Sequence, residues 1–156
     1  MNIIIRPIKD NEIPLLTDFL YEAIFLTDND PILSRTIIQE PILWRYINNF
    51  GKEKDDHCFI AQVDNYIVGA VWIRCMQGFG HLTDNIPELA MSIYPQYRNK
   101  GIGTSLLKDF LKFLRQKNYN QISLSVQKNN YAVNMYKKLG FKVISQNKSE
   151  YIMKIS

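Results

Sequence analysis

The 156-residue chain is poor in cysteine and histidine and has no long apolar run. Its two cysteines, Cys58 and Cys75, form no short-spaced pair, which excludes a disulfide framework and suits a reducing, cytoplasmic setting. His57, His81 and the two cysteines show no zinc-ligand spacing, so no metal is expected. His57 and Cys58 are neighbours in a strand-like run, so their side chains point to opposite faces and cannot form a thiol–imidazole couple. No run of ~18 apolar residues and no basic-then-apolar leader is present, so neither membrane spanning nor secretion is signalled. There is no Gly-x-Ser-x-Gly elbow and no Walker loop. Repeats, low-complexity tracts and linkers are also missing, and the length suits one domain over residues 1–156.

The charge excess is small. The net charge is +4, and Lys117, Lys128, Lys137, Lys138, Lys142 and Lys148 are spread over the C-terminal third. A surplus so diffuse reads as a solvated surface with a mild preference for an anionic ligand, and no nucleic-acid partner is expected.

What is there is regular alternation of strand and helix patterns. Residues 2–8 read as a strand, and Asp10 is placed to cap a helix carrying Leu16, Phe19, Leu20, Ala23 and Ile24 at helical spacing. A second helical stretch, interrupted near Pro41, runs to about Phe50 with Gly51 as its stop. Residues 57–63 and 66–76 read as strands joined at Asp64-Asn65, residues 77–87 as a loop, and residues 88–94 as another strand. An amphipathic helix follows, with Ile102, Leu106, Leu107, Phe110, Leu111 and Leu114 on one face. A strand at 121–126, a helix at 131–139 and closing strands at 141–145 and 150–155 complete the order β-α-α-β-β-β-α-β-α-β-β. That order predicts an α/β (α+β) fold with a mixed sheet.

The chemistry concentrates where the strand at 88–94 meets the amphipathic helix. Arg98, Lys100, Gly101, Ile102, Gly103 and Thr104 lie in the connecting turn and the first helical turn. The first turn of a helix leaves amide donors unpaired and carries partial positive charge. Two glycines let a ligand approach the backbone, and Arg98 and Lys100 add charge, which suits a phosphate or pyrophosphate. A dinucleotide fingerprint fails because Leu106 occupies its third glycine position. Arg98-x-x-Gly101-x-Gly103 after a strand resembles the pyrophosphate-binding signature of the GNAT acyltransferase superfamily. A second segment resembles another hallmark of that superfamily, an Asn-x-x-Ala at Asn129 and Ala132 followed by Tyr136-x-x-Leu139-Gly140-Phe141. Asn129 is placed to cap the helix or to reach the cofactor.

The resemblance implies a largely antiparallel sheet of about seven strands with helices on both faces and a splayed central strand pair. It implies acetyl-CoA as co-substrate, with main-chain groups of Met91 and Ile93 along the pantetheine arm and Arg98 and residues 101–104 at the pyrophosphate. It also implies that Tyr136 protonates the departing sulfur, unless that tyrosine is only a packed core aromatic. Glu88, at the start of the cofactor strand, could accept the amine's proton or stand as a solvated strand-end carboxylate. The acceptor implied is a small-molecule or peptide amine, expected to meet residues 25–50 and 77–87, with Trp44, Tyr46, Phe79, His81 and Asp84 as candidate contacts. Asp28, Asp30 and Asp84 could attract a cation. A homodimer is compatible with the resemblance. Two rivals stand beside the enzyme: an acyl-CoA-binding module without turnover, and a nucleotide binder using the glycine turn for ATP.

Overall fold

The computed structural model describes residues 1–27 and 29–156, so Asp28 lies outside the described residues. Its seven-stranded sheet begins with β1 (Ile3–Pro7), β2 (His57–Val63), β3 (Tyr66–Arg74) and β4 (Glu88–Ile93), each antiparallel to the next. It continues through β5 (Ile122–Gln127), β7 (Glu150–Ile155) and, at the far edge, β6 (Lys142–Gln146). The β2–β3 hairpin turns at Asp64 and Asn65, whose positive φ of 52° and 138° is the conformation short polar residues tolerate best.

Alternation in β3 divides the core. Ala70 and Trp72 face α1 (Leu16–Ala23) and α2 (Pro41–Trp44), whereas Val71 and Ile73 face α3 (Ile102–Gln116) and α4 (Ala132–Lys138). All six apolar residues of the α3 stripe are buried, so that helix is held by its face. Helices therefore cover both sides of the sheet, as the resemblance implied.

The feature that matters for function is a gap between two strands. β4 and β5 run parallel but pair only at Glu88 and Ser123, where the Ser123 amide donates to the Pro87 carbonyl at 3.0 Å. Beyond that point each follows its other neighbour: β4 stays in register with β3 to Ile93, and β5 with β7 to Gln127. The strands diverge into a V whose inner edges are left for something other than this sheet.

One local expectation is corrected, and the interruption expected near Pro41 takes a definite form. Asp10 does not cap the first helix; the Lys9 amide donates instead to Glu12 Oε1 at 2.8 Å. Glu12 is fixed there by Arg6, which holds both carboxylate oxygens at 2.8 Å. The second helical stretch breaks into a 3-10 turn (Arg35–Gln39), the short α2 and a series of turns to Phe50. Pro41 has no amide to donate and keeps Glu40 extended at ψ 132°, which separates the two pieces.

The turns after α2 would leave carbonyls without partners, and the end of β3 supplies donors for them. Trp72 Nε1 donates to the Tyr46 carbonyl at 3.0 Å, and Arg74 Nη1 to the carbonyls of Arg45 and Asn48 at 3.0 and 2.8 Å. These bonds set the place of Tyr46.

Candidate active site

Two cavities open from the V. The one on the α3 side, about 340 Å³, is lined by Met91, Ile93, Arg98, Gly101, Gly103 and Thr104 among others. Gly101 precedes α3 at φ 80°, a conformation that costs glycine nothing, and a Cβ there would meet no atom within 4 Å. The first α-helical bond runs from the Ser105 amide to the Gly101 carbonyl at 3.1 Å, leaving the amides of Ile102, Gly103 and Thr104 ahead of it unpaired. The Ile102 side chain is buried in the core, so only its backbone can serve a ligand. A Cβ on Gly103 would meet Ile93, Met91 and Met135 at 3.7–3.8 Å, ordinary contact, and anything longer would project among them.

Arg98 is already engaged. Its Nε donates to the Ile93 carbonyl at 2.8 Å, and its Nη2 lies 3.4 Å from Glu22 Oε1, tying the end of β4 to α1. The Ile93 carbonyl is thereby occupied, and Arg98 is at the same time part of the cavity wall. Lys100 is exposed and lines neither cavity. Asn129 also lies outside both; it borders a third, shallow depression with Asp30. The capping expected of Asn129 falls to Asn130, whose Oδ1 accepts from the Ala132 amide at 2.9 Å, and Asn130 lines both cavities. The side chain one residue nearer the helix has the shorter reach to its first amides.

The second cavity, about 420 Å³, lies on the α1–α2 side, and Glu88 is at its wall. Glu88 is 1% exposed and is no solvated strand end. Its Oε2 accepts from the Tyr46 hydroxyl and from the Gly80 amide, the latter at 3.0 Å, while Oε1 has no partner among the described residues. Burial raises its pKa above the usual carboxylate range, opposed by the bonds from Tyr46 and Gly80. Burial and the nearby Glu88 charge push the Tyr46 phenol up, so it remains a donor. The loop 77–87 closes over this couple by close backbone approach. A Cβ on Gly80 would sit 2.7 Å from the Leu124 carbonyl carbon, and one on Gly78 would sit 2.5 Å from Glu88 Oε1. Both glycines are needed for the loop to reach into the V.

Tyr136 lines both cavities, as do Met91 and Phe25, so the two spaces meet at this ring. The ring packs edge-on against Phe141 with centroids 5.7 Å apart. Burial pushes its hydroxyl pKa upward, which keeps the proton on Oη at neutral pH. Of the acceptor candidates, Tyr46 and Phe79 line the second cavity. Trp44 packs into the α1–α2 core, and His81 bonds Asp84 at 2.9 Å, all three away from the cavities. Ser125 and Glu150 were not singled out in the sequence: Ser125 Oγ donates to Glu150 Oε2 at 2.7 Å on the cavity wall. Only the fold brings them together, because β7 returns beside β5.

These features fit a long ligand with a diphosphate and an extended arm: unpaired amides at the start of α3, a cradle at Gly101 and Gly103, and the unpaired inner edge of β4. A family model described as the acetyltransferase (GNAT) family matches residues 22–141. An N-alpha-acetyltransferase of Sulfurisphaera tokodaii is 34% identical over 130 residues, covering 76% of this chain and 77% of the relative. An N-alpha-acetyltransferase of Saccharolobus solfataricus is 30% identical over 145 residues, 86% of each chain. Among solved structures, the paia N-acetyltransferase of Thermoplasma acidophilum in complex with coenzyme A shares the fold, with a TM-score of 0.70 at 23% identity over 100% of this chain and 99% of that one.

Proposed function

The chain belongs to the acetyltransferase (GNAT) family, and we propose that it acetylates the α-amino group at the N-terminus of a peptide or protein chain. As a member of that family it is an N-acetyltransferase whose co-substrate is acetyl-CoA. Two relatives at 30% identity or more carry the name N-alpha-acetyltransferase, which supports the acceptor class. The observation that carries the reading is the meeting of two cavities at Tyr136, one floored by unpaired backbone amides and the other walled by a buried carboxylate. A module that only bound CoA would need the first and not the second.

Acetyl-CoA supplies the activated acetyl carbonyl and a sulfur leaving group. The amides of Ile102, Gly103 and Thr104, with Arg98, hold the diphosphate, and the main chain at Met91 orients the arm along the free edge of β4. Glu88 takes the proton of the incoming ammonium on Oε1, the oxygen left unpaired. Its raised pKa makes it a better acceptor than an exposed glutamate. Tyr46 and the Gly80 amide hold the other oxygen and so aim the carboxylate. Tyr136 keeps its proton on Oη and donates it towards the departing sulfur. Phe79 and the loop around it exclude water from Glu88.

The test is incubation with acetyl-CoA and a synthetic peptide bearing a free N-terminus, read by thiol release and by the mass and fragmentation of the product. Acetylation at the α-amine is expected. Acetylation of lysine side chains alone, or thiol release without a modified peptide, would refute the proposal.

A further inference from the structure

The second cavity has an unusual charge inventory for a protein of net charge +4. Glu40, Glu88 and Glu150 are on its wall, and among the described residues no lysine, arginine or histidine lines it. The rest of the wall is mainly apolar, with Ile24, Phe25, Ile37, Leu43, Phe79 and Val126 surrounding the space. Glu88 is 1% exposed and has one oxygen without a partner among the described residues, whereas Glu40 is exposed. Glu150 is held by the Ser125 hydroxyl and is near enough to raise the proton affinity of Glu88 and Tyr46.

We propose that this cavity selects an α-ammonium carried on a large apolar first side chain and without a carboxylate on the same residue, and that Glu150 is a second anionic wall for that ammonium. The inference rests on the acceptor reading above. A free amino acid would bring its carboxylate among three others with no cation to receive it, and is rejected. In a peptide that carboxylate is an amide, and the repulsion disappears. A first residue such as Met, Leu or Phe displaces water from the apolar walls, whereas Gly, Ala or Ser leaves them wet. A lysine side chain offers an ammonium on a slim stem that fills little of the space. Glu150 does not bond Glu88, and its charge is the smallest of the influences on the proton affinity of Glu88, so its effect falls mainly on binding of the ammonium.

The experiment compares kcat/KM for peptides identical after the first residue, beginning with Met, Leu, Phe, Ser, Ala or Gly. Free methionine and an N-blocked lysine peptide are run beside them. The large apolar group should exceed the small group by about ten-fold or more, with free methionine essentially inert. Glu150→Gln should raise KM for the Met peptide several-fold with kcat nearly unchanged. Acetylation led by the Ser, Ala and Gly peptides, or equal rates throughout, overturns this inference alone. Modification of no peptide, with acetyl-CoA still bound, overturns the acceptor reading and this inference with it. A Glu150→Gln enzyme whose KM is unaltered removes Glu150 from the site.

Discussion

Two carboxylates are buried at the same end of the sheet, and they have been given opposite surroundings. Asp56 faces Arg74, which donates through Nε at 3.1 Å and Nη2 at 2.9 Å, and it also accepts from the Gly51 and Glu53 amides at 2.9 and 3.3 Å. Glu88 is the cross-strand partner of Arg74 in the β3–β4 ladder, yet among the described residues no cation pairs with it. Asp56 and two carbonyls have taken the guanidinium. Every oxygen of one carboxylate is satisfied, and one oxygen of the other is buried without a partner among the described residues, in a side chain that lines a cavity. Burial alone therefore says little about role. The satisfied group holds the loop before β2 to the end of β3, and the unsatisfied one is the group we propose takes the substrate's proton.

The largest effect is expected at Asp56. Asp56→Ala leaves Arg74 charged, buried and short of a partner, and should cost about 3–5 kcal/mol in denaturant unfolding. A loss below ~1 kcal/mol would put the two carboxylates on the same footing. Glu88→Gln should reverse the pattern, lowering kcat by on the order of 100-fold or more while acetyl-CoA still binds. Its stability should move the other way. The folded-state pKa of Glu88 is raised, so its contribution to stability is complete below the ordinary carboxylate pKa and is lost as pH rises through the folded value. Glutamine carries no such loss, so Glu88→Gln should melt at or above wild type at neutral pH, with the difference vanishing in acid. A lower Tm at every pH would make Glu88 structural.

Tyr136→Phe removes one hydroxyl from a packed ring and should lower kcat about ten-fold with little change in Tm. Unaltered turnover would leave the ring as core only. The smallest effect is expected at Lys100, which is exposed and outside both cavities. Lys100→Ala should change the Kd for acetyl-CoA by less than about three-fold at moderate salt, because screening weakens exposed charges. A larger loss, measured by calorimetry, would place its side chain on the ligand.

The two halves of the site differ in how far the sequence revealed them. The donor side is contiguous: strand, glycine turn and helix start follow one another within residues 88–104, and the function asked of them is mostly backbone. Such a site leaves a local pattern of glycine and charge. The proposed acceptor side joins residues 46, 80, 88, 125 and 150 across four separate segments. No spacing rule links a tyrosine in an irregular turn to a glutamate 42 positions later. The loop at 77–87 was legible, but not the approach of Gly80 to β5, which depends on the V existing first. Element order and the α3 stripe were legible because period and burial go together there. The cap expected of Asn129 belongs to Asn130 for the opposite reason: two like residues stand in succession, and only the geometry of the turn chooses between them.

The most direct test of the account is the pH dependence of kcat/KM for one Met-initiated peptide, measured for wild type and for Glu88→Gln. If Glu88 takes the ammonium's proton, the wild-type acid limb falls at a pH above the ordinary glutamate range but below the pKa of the free α-amine. In Glu88→Gln that limb should shift up to the amine's own value, roughly 8, since only the neutral amine can then react. Identical limbs in the two proteins would contradict the account and leave Glu88 a buried carboxylate of the same kind as Asp56.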